Sequence, residues 1–120
     1  MRQNVSQNTF KMMNCKQRDI VEVNYYHSGF GFKPHPAIIV SNDELNANED
    51  FFYVVLISSK NTFPQYSYLL TDEMTTNKFQ KKSYVKCQVL TSEKNVIQKL
   101  GTMKKAYFDE MVNKIITSIF

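Results

Sequence analysis

His35 is the residue of this sequence whose type and surroundings are best suited to chemistry. An imidazole has an unperturbed pKa of about 6.5, so it can accept or donate a proton near neutral pH. Pro34 and Pro36 flank it on both sides. Proline fixes its own φ and drives the preceding residue towards extended geometry, so we expect His35 to lie on a stiff loop. The sequence therefore predicts either a rigidly held acid–base group or an ordinary solvated loop residue.

A second polar position follows the most apolar run of the chain. Residues 51–57 are apolar throughout, which indicates a central strand covered on both faces, and Ser58 follows directly. A serine hydroxyl can donate a hydrogen bond to a phosphate oxygen, although many serines at strand ends are ordinary polar residues. Neighbouring strands lie about 5 Å apart, so an adjacent strand pair would place His35 and Ser58 over one phosphate.

Positive and aromatic side chains near these positions are compatible with a phosphate-bearing partner that has exposed bases, because unpaired bases stack on aromatic rings. The candidates for such contacts are Lys33, Lys60, Lys86, Phe30 and Phe32. A simpler explanation stays open, since lysines commonly form a solvated face and the two phenylalanines can pack against the domain or a second subunit. His27 is a second candidate acid or base.

The first half of the chain contains the elements that must position these residues. Residues 20–25 alternate between apolar and polar side chains, which predicts a half-buried strand. Residues 37–40 are apolar and mostly β-branched, which predicts a buried strand. We expect a short helix over residues 43–48, with Asn42 or Asp43 as its cap.

The second half predicts two more strands and a long helix. Residues 66–70 and 83–89 have strand patterns, and the polar, lysine-rich residues 71–82 between them predict a solvated connection. The side chains expected to face inward on the later strand are Val85, Cys87 and Val89. Apolar residues recur at helical spacing from about Lys104 onwards, with Thr102 as a candidate cap. Five strands and two helices in this order predict an α+β fold, a small antiparallel sheet curled towards a barrel and closed by the terminal helix.

Composition limits the class of protein. A hydrophobic fraction of 42% over 120 residues favours one folded domain, which we place at residues 18–120 behind a flexible extension over residues 1–17. The net charge of +4 is compatible with a nucleic-acid partner without requiring one. Cys15 and Cys87 lack metal-type spacing, so we expect a reduced cytoplasmic protein without a metal or cofactor. No run approaches membrane-spanning length, so no membrane association is predicted.

Several stretches, in a fixed order, resemble the MazF/PemK (Kid-like) family of toxin ribonucleases. The sequence RDIV at residues 18–21 resembles the family's early strand, and HPAIIVSND at residues 35–43 resembles its loop, proline and following strand. VVLISSK at residues 54–60 and YVKCQVLT at residues 84–91 continue the likeness, and the final helix follows Gly101. Each stretch alone is a weak signal, and their order and spacing carry the resemblance.

The resemblance implies an SH3-like barrel, a homodimer, a small antitoxin as partner, and metal-independent cleavage of single-stranded RNA. In that reaction a ribose 2′-OH attacks the adjacent phosphate. The family's catalytic Arg before the proline corresponds to His35, and its Thr in the central strand corresponds to Ser58. A second Arg of some members has no counterpart around Leu90 and Thr91. The resemblance therefore assigns His35 as general acid or phosphate contact, with Ser58 beside it.

Two alternative functions stay open because the catalytic Arg is missing. The protein could keep the fold without cleavage and bind RNA or an antitoxin-like peptide. It could also poison a protein target, because gyrase inhibitors share this barrel. The resemblance disfavours the last alternative, since the gyrase-binding relatives use a tryptophan near the C-terminus and this chain contains none.

Overall fold

The computed structural model describes residues 14–120, which form seven antiparallel strands and two α-helices. The strands are β1 (Asp19–His27), β2 (Gly31–Ile39), β3 (Phe51–Ser58), β4 (Ser67–Leu70), β5 (Ser83–Lys86), β6 (Leu90–Glu93) and β7 (Gln98–Thr102). The helices are α1 (Asp43–Asn48) and α2 (Lys105–Ile119), and single 3-10 turns occupy Pro64–Tyr66 and Asp72–Met74. The predicted α+β class is confirmed, with two more strands than expected. None of the helices within residues 14–120 has the length and apolar character needed to cross a membrane.

The strands form one sheet in the order β4-β5-β3-β2-β1-β7, and β6 pairs with the first half of β3. The outer strands β4 and β7 do not pair with each other within this described sheet, so it is barrel-like without being closed. Strand β3 is therefore central: β2 pairs with its middle, β6 with its beginning and β5 with its end.

Two hydrophobic clusters lie on opposite faces of the sheet. Ile20 and Val55 belong to the cluster that α2 covers, whereas their chain neighbours Val21 and Val54 belong to the other. This division follows from the two-residue period of a strand, which sends successive side chains to opposite faces. The predicted burial on both faces therefore holds for residues 54–57, whereas Tyr53 is 36% exposed and Phe51 is half-buried.

Helix α2 begins where its pattern predicts, but its first turn is not capped by the predicted residue. Lys104 is the N-cap residue and provides no side-chain hydrogen bond. Thr102, the predicted cap, lies in β7 opposite Asp19, and its Oγ1 donates to Asp19 Oδ1 at 3.2 Å. The Thr102 prediction is therefore wrong, because sheet pairing and Asp19 occupy that residue. Met103 and Phe108 are both buried in one cluster on either side of the helix start, in the manner of a hydrophobic staple.

His35 lies in strand β2, so the prediction of a stiff loop is wrong. Strand β2 pairs with β1 along its length but with β3 only over residues 37–39, which leaves one side of residues 31–36 unpaired. Pro34 and Pro36 are two residues apart, so their nitrogens face the same side of the strand. A proline at an unpaired side removes no ladder hydrogen bond, which is why a strand can contain both.

The predicted strand over residues 83–89 is interrupted. Val85 pairs with Ile57 on β3, and Leu90 pairs with Val54. The segment from Val85 to Leu90 is two residues longer than the segment of β3 that it faces, so the chain bulges between β5 and β6. Within the bulge, Val89 is 39% exposed, so its predicted inward orientation is wrong. The bulge breaks the alternation of inward and outward side chains on which that prediction depended.

Part of the predicted flexible extension, residues 1–13, lies outside the described residues. The residues that follow contact the domain. Cys15 packs against the second hydrophobic cluster, and the Gln17 backbone N–H donates to Asp43 Oδ1 at 2.9 Å. The Gln17 side-chain amide also donates to the Val40 carbonyl at 2.9 Å. These contacts attach the chain to the domain before β1 begins.

Candidate active site

His35 and Ser58 lie together where strands β2 and β3 separate. Their pairing ends at Ala37 and Leu56, and the same register continued by two residues would place His35 opposite Ser58. Beyond that last pair the strands diverge and a groove of about 530 Å³ opens, lined by both residues. The structure therefore brings together the two side chains that the sequence singled out.

Strand β3 leaves β2 because its last two residues pair elsewhere. Ile57 pairs with Val85 and Ser58 with Tyr84, both on β5. The Ser58 Oγ then accepts a hydrogen bond from the Lys60 backbone N–H at 3.1 Å. This bond uses a lone pair of the hydroxyl oxygen, so the hydroxyl proton remains free to be donated to a ligand.

His35 belongs to a small aromatic cluster on one face of the β1–β2 hairpin. Its ring centroid lies 6.0 Å from that of Tyr25 and 5.5 Å from that of His27. The β1–β2 register accounts for this placement, because it puts His35 opposite Val23 and so on the same face as Tyr25 and His27. The Nε2 atoms of both histidines are buried and have no hydrogen-bond partner among residues 14–120.

Burial lowers the pKa of His35 below its usual value, because a partly dry environment disfavours the imidazolium. A hydrogen bond with the Ile57 backbone opposes this effect, and the charges of His27 and Lys86 lower the pKa further. His35 is therefore neutral at neutral pH and can accept a proton.

We expect the free energy of unfolding to fall as the pH falls below about 6.5, the usual value for histidine in an unfolded chain. The folded-state pKa of His35 lies below that value, so in this window the unfolded chain binds more protons and acid favours it. The stabilisation is complete above the unfolded pKa and is lost progressively towards the folded pKa. Urea denaturation between pH 7.5 and 5 measures the slope. His35→Gln should flatten that slope, and an unchanged slope would assign the acid sensitivity to other groups.

Two of the predicted lysines lie near this groove. Lys86 is close enough to lower the pKa of His35, and Lys60 follows Ser58 by two residues. Both also line a shallow depression beside β5, together with Phe63 and Tyr66. Their ammonium groups can therefore supply positive charge to a ligand that extends from the groove across β5.

The other predicted contacts lie at the tip of the β1–β2 hairpin and do not line the groove. Phe30 and Phe32 are 75% and 66% exposed, so within the described chain they do not pack into the core. The turn uses Gly29 and Gly31, both at positive φ, a conformation that glycine adopts without strain. Lys33 Nζ lies 4.8 Å from the centroid of the Phe30 ring, within range of a cation–π interaction.

The opposite wall of the groove was missed by sequence reasoning. Residues 77–81, predicted to be part of a solvated connection, line the groove together with Glu22. The signal that points to this wall is Phe79, an apolar side chain in a lysine-rich stretch, which packs against the core. Glu22 Oε1 accepts a hydrogen bond from Gln98 Nε2 at 3.0 Å, and its place on β1 gave no indication of a role in the site.

The cysteines do not form part of this groove. Cys15 and Cys87 are free thiols, and burial raises the pKa of each, so both are protonated at neutral pH. Among residues 14–120 there is no group of three or more His, Cys, Asp and Glu side chains arranged to hold a metal ion.

The model of one protein family, described as PemK-like, MazF-like toxin of type II toxin–antitoxin system, matches residues 16–119. The chain belongs to this family. The match spans every strand and helix of the structure, including the groove and both of its walls. Comparison with curated proteins gave no match.

Three solved structures illustrate the likeness in fold. An endoribonuclease from a mycobacterial species, in complex with its cognate antitoxin, has a TM-score of 0.69 at 16% identity, covering 88% of this chain and 94% of that one. MazE-MazF from Deinococcus radiodurans has a TM-score of 0.69 at 12% identity, with coverages of 88% and 95%. The toxin MazF-mt6 from Mycobacterium tuberculosis has a TM-score of 0.68 at 12% identity, with coverages of 85% and 96%. These likenesses establish the PemK/MazF fold.

Proposed function

We propose that this family member is a toxin that cleaves single-stranded RNA in the cytoplasm and is neutralised by a small antitoxin. The observation that carries the proposal is the meeting of His35 and Ser58 in one groove, at the point where β2 and β3 separate. Family membership supports the toxin class. Related folds described as an endoribonuclease with its cognate antitoxin and as MazE-MazF support both the reaction and the partner.

The proposed reaction is attack of a ribose 2′-OH on the adjacent phosphate. The neutral imidazole of His35 takes the proton of the 2′-OH, for which RNA binding must open access to its buried Nε2. The lowered pKa of His35 favours this role over those of general acid or charged phosphate contact. The 2′-oxygen bonds to phosphorus as the bond to the 5′-oxygen breaks. The leaving 5′-oxygen takes a proton from water, leaving a 2′,3′-cyclic phosphate and a 5′-hydroxyl end.

Neighbouring side chains would stabilise the negative charge that develops on the phosphate. The Ser58 hydroxyl proton is free to be donated to a non-bridging oxygen. Lys60 and Lys86 add positive charge as compact ammonium groups, without the bidentate geometry of an arginine. The exposed Phe30, Phe32 and Lys33 of the hairpin tip would hold bases and phosphates of the same RNA outside the groove.

Induced expression in a bacterial host, followed by mapping of RNA ends, tests the proposal. Growth arrest with new 5′-hydroxyl ends supports cleavage, and expression of His35→Ala in the same host is the matched control. Arrest without such ends would instead favour a protein target. RNA binding by the purified protein without arrest or cleavage would favour a binding module.

We also propose a two-fold homodimer, in which the groove between subunits forms the partner site. The end of α2 exposes an apolar surface, since Ile116, Ile119 and Phe120 are 49%, 48% and 97% exposed. We expect sedimentation at micromolar concentration to give a species of twice the 14.1 kDa chain mass. A single 14.1 kDa species under these conditions would contradict the proposal.

A further inference from the structure

The wall formed by residues 77–81 is attached to the domain by contacts distant in sequence. Thr75 forms a bridge with Met103, and the Thr76 backbone N–H donates to the Thr102 carbonyl at 3.0 Å. The Thr102 backbone N–H in turn donates to Thr76 Oγ1 at 2.9 Å, and Thr75 Oγ1 donates to the Asn77 carbonyl at 2.6 Å. These bonds fix the beginning of the wall against β7.

Two further features set the position of the wall. Phe79 is partly buried against the core cluster under α2, and this contact fixes the middle of the wall. Asn77 lies so close to β7 that a Cβ added at Gly101 would be 2.5 Å from its Oδ1 and 3.0 Å from its Cβ. Glycine at this position is therefore what allows Asn77 to approach, and the wall depends on that approach.

The wall presents two lysines to the groove that are not held in salt bridges within residues 14–120. Lys78 and Lys81 both line the groove, are exposed, and make no salt bridge within the described chain. Residues 77–82 contain no acidic side chain. Glu22, the carboxylate of the groove lining, is hydrogen-bonded by Gln98 across the β1–β7 pair. Lysines fixed in this way are suited to an anion that lies along the wall.

We propose that Lys78 and Lys81 bind backbone phosphates of the RNA that flank the one cleaved at His35 and Ser58. The inference rests on the proposed ribonuclease function and adds a second wall to its substrate channel. The cleaved phosphate lies beside His35 and Ser58, where β2 and β3 separate, and the RNA chain continues along residues 77–81. The contact is to phosphate, so it strengthens binding to single-stranded RNA without selecting its base sequence.

Salt-dependent binding of a fluorescein-labelled, fully 2′-O-methylated RNA oligonucleotide tests this contact, since such an RNA lacks the attacking hydroxyl. Each phosphate contact contributes about 0.7 to the slope of log affinity against log salt for single strands. Lys78→Ala/Lys81→Ala should therefore lower the magnitude of that slope by about 1.4 and weaken binding. The matched control, Lys16→Ala/Lys104→Ala, removes the same charge at exposed positions that do not line the groove and should leave the slope unchanged.

A second variant tests the position of the wall without changing its charge. Gly101→Ala forces Asn77 and Thr76 away from β7, so we expect weaker RNA binding from a protein whose thermal unfolding remains cooperative. If Gly101→Ala does not fold, the lysine variants decide the matter alone. Equal slopes for the parent and the Lys78/Lys81 variant, or equal losses in the control, would overturn the inference.

Cleavage of unmodified RNA by the same preparations separates this inference from the proposed function. If the parent cleaves RNA and the Lys78/Lys81 variant binds as the parent does, the proposed function stands and the phosphate contact is refuted. If the parent neither binds nor cleaves single-stranded RNA, the proposed function fails and the inference fails with it.

Discussion

His35→Ala lowers the rate of RNA cleavage by on the order of 10²-fold or more, the usual contribution of a positioned proton-transfer group. The side chain lines the groove with Ser58, and its lowered pKa leaves it neutral and able to accept the 2′-OH proton. The backbone of residue 35 is held by pairing with Val23, so the variant should fold as the parent does. Single-turnover cleavage of a labelled RNA, beside a thermal unfolding curve, measures both quantities.

His35→Arg is the informative companion because the sequence resemblance to the MazF/PemK family aligns His35 with a catalytic arginine. We expect it to retain or raise cleavage, with charge on the phosphate in place of proton transfer. The parent rate should rise with pH through the His35 pKa and then level, whereas the arginine variant should lack that rise. If His35→Ala cleaves RNA as fast as the parent, His35 has no role in the reaction and the site lies elsewhere.

Ile38→Ala, three residues further along the same strand, should instead lower the free energy of unfolding by about 2–5 kcal/mol. Its side chain is fully buried in the cluster under α2, and its neighbours across the sheet are Ile20 on β1 and Val55 on β3. Truncation therefore removes buried methyl groups and leaves a cavity that strands on both sides prevent from closing.

Urea denaturation measures this loss. Ile97→Ala is the matched control, because it makes the same truncation where the side chain is 44% exposed and lies outside the apolar surface at the end of α2. That change should cost far less, since surface substitutions usually lie within about 0.5 kcal/mol. An Ile38→Ala loss no greater than that of Ile97→Ala would show that the β1–β2–β3 region is not the stable centre of the fold.

The elements with strong apolar periodicity were predictable from sequence. Met111 and Ile115 recur at helical spacing and are both buried on α2, and residues 54–57 of β3 are buried on both faces. The proximity of His35 and Ser58 also followed from sequence, because each is adjacent to a predicted core strand. In these cases the local pattern and the final packing depend on the same side chains.

The rest depends on contacts that a local pattern does not contain. Two prolines normally argue against a strand, and they are tolerated in β2 because β3 has already turned towards β5 at that point. Residues 77–81 are polar apart from Phe79, and their place in the groove depends on Gly101 and Thr102, which lie more than twenty residues after Asn77 in the chain. Both features are properties of the tertiary fold, so they become visible only in the structure.

The unequal pairing of β2 has a consequence for how this protein can evolve. Residues 37 and 38 are held by strands on both sides, whereas residues 31–36 are held by β1 alone. A substitution in the first group disturbs the packing of the whole domain, but position 35 can exchange one side chain for another while its main chain keeps the same partner. New reactivity can therefore be sampled at this position with little risk of unfolding.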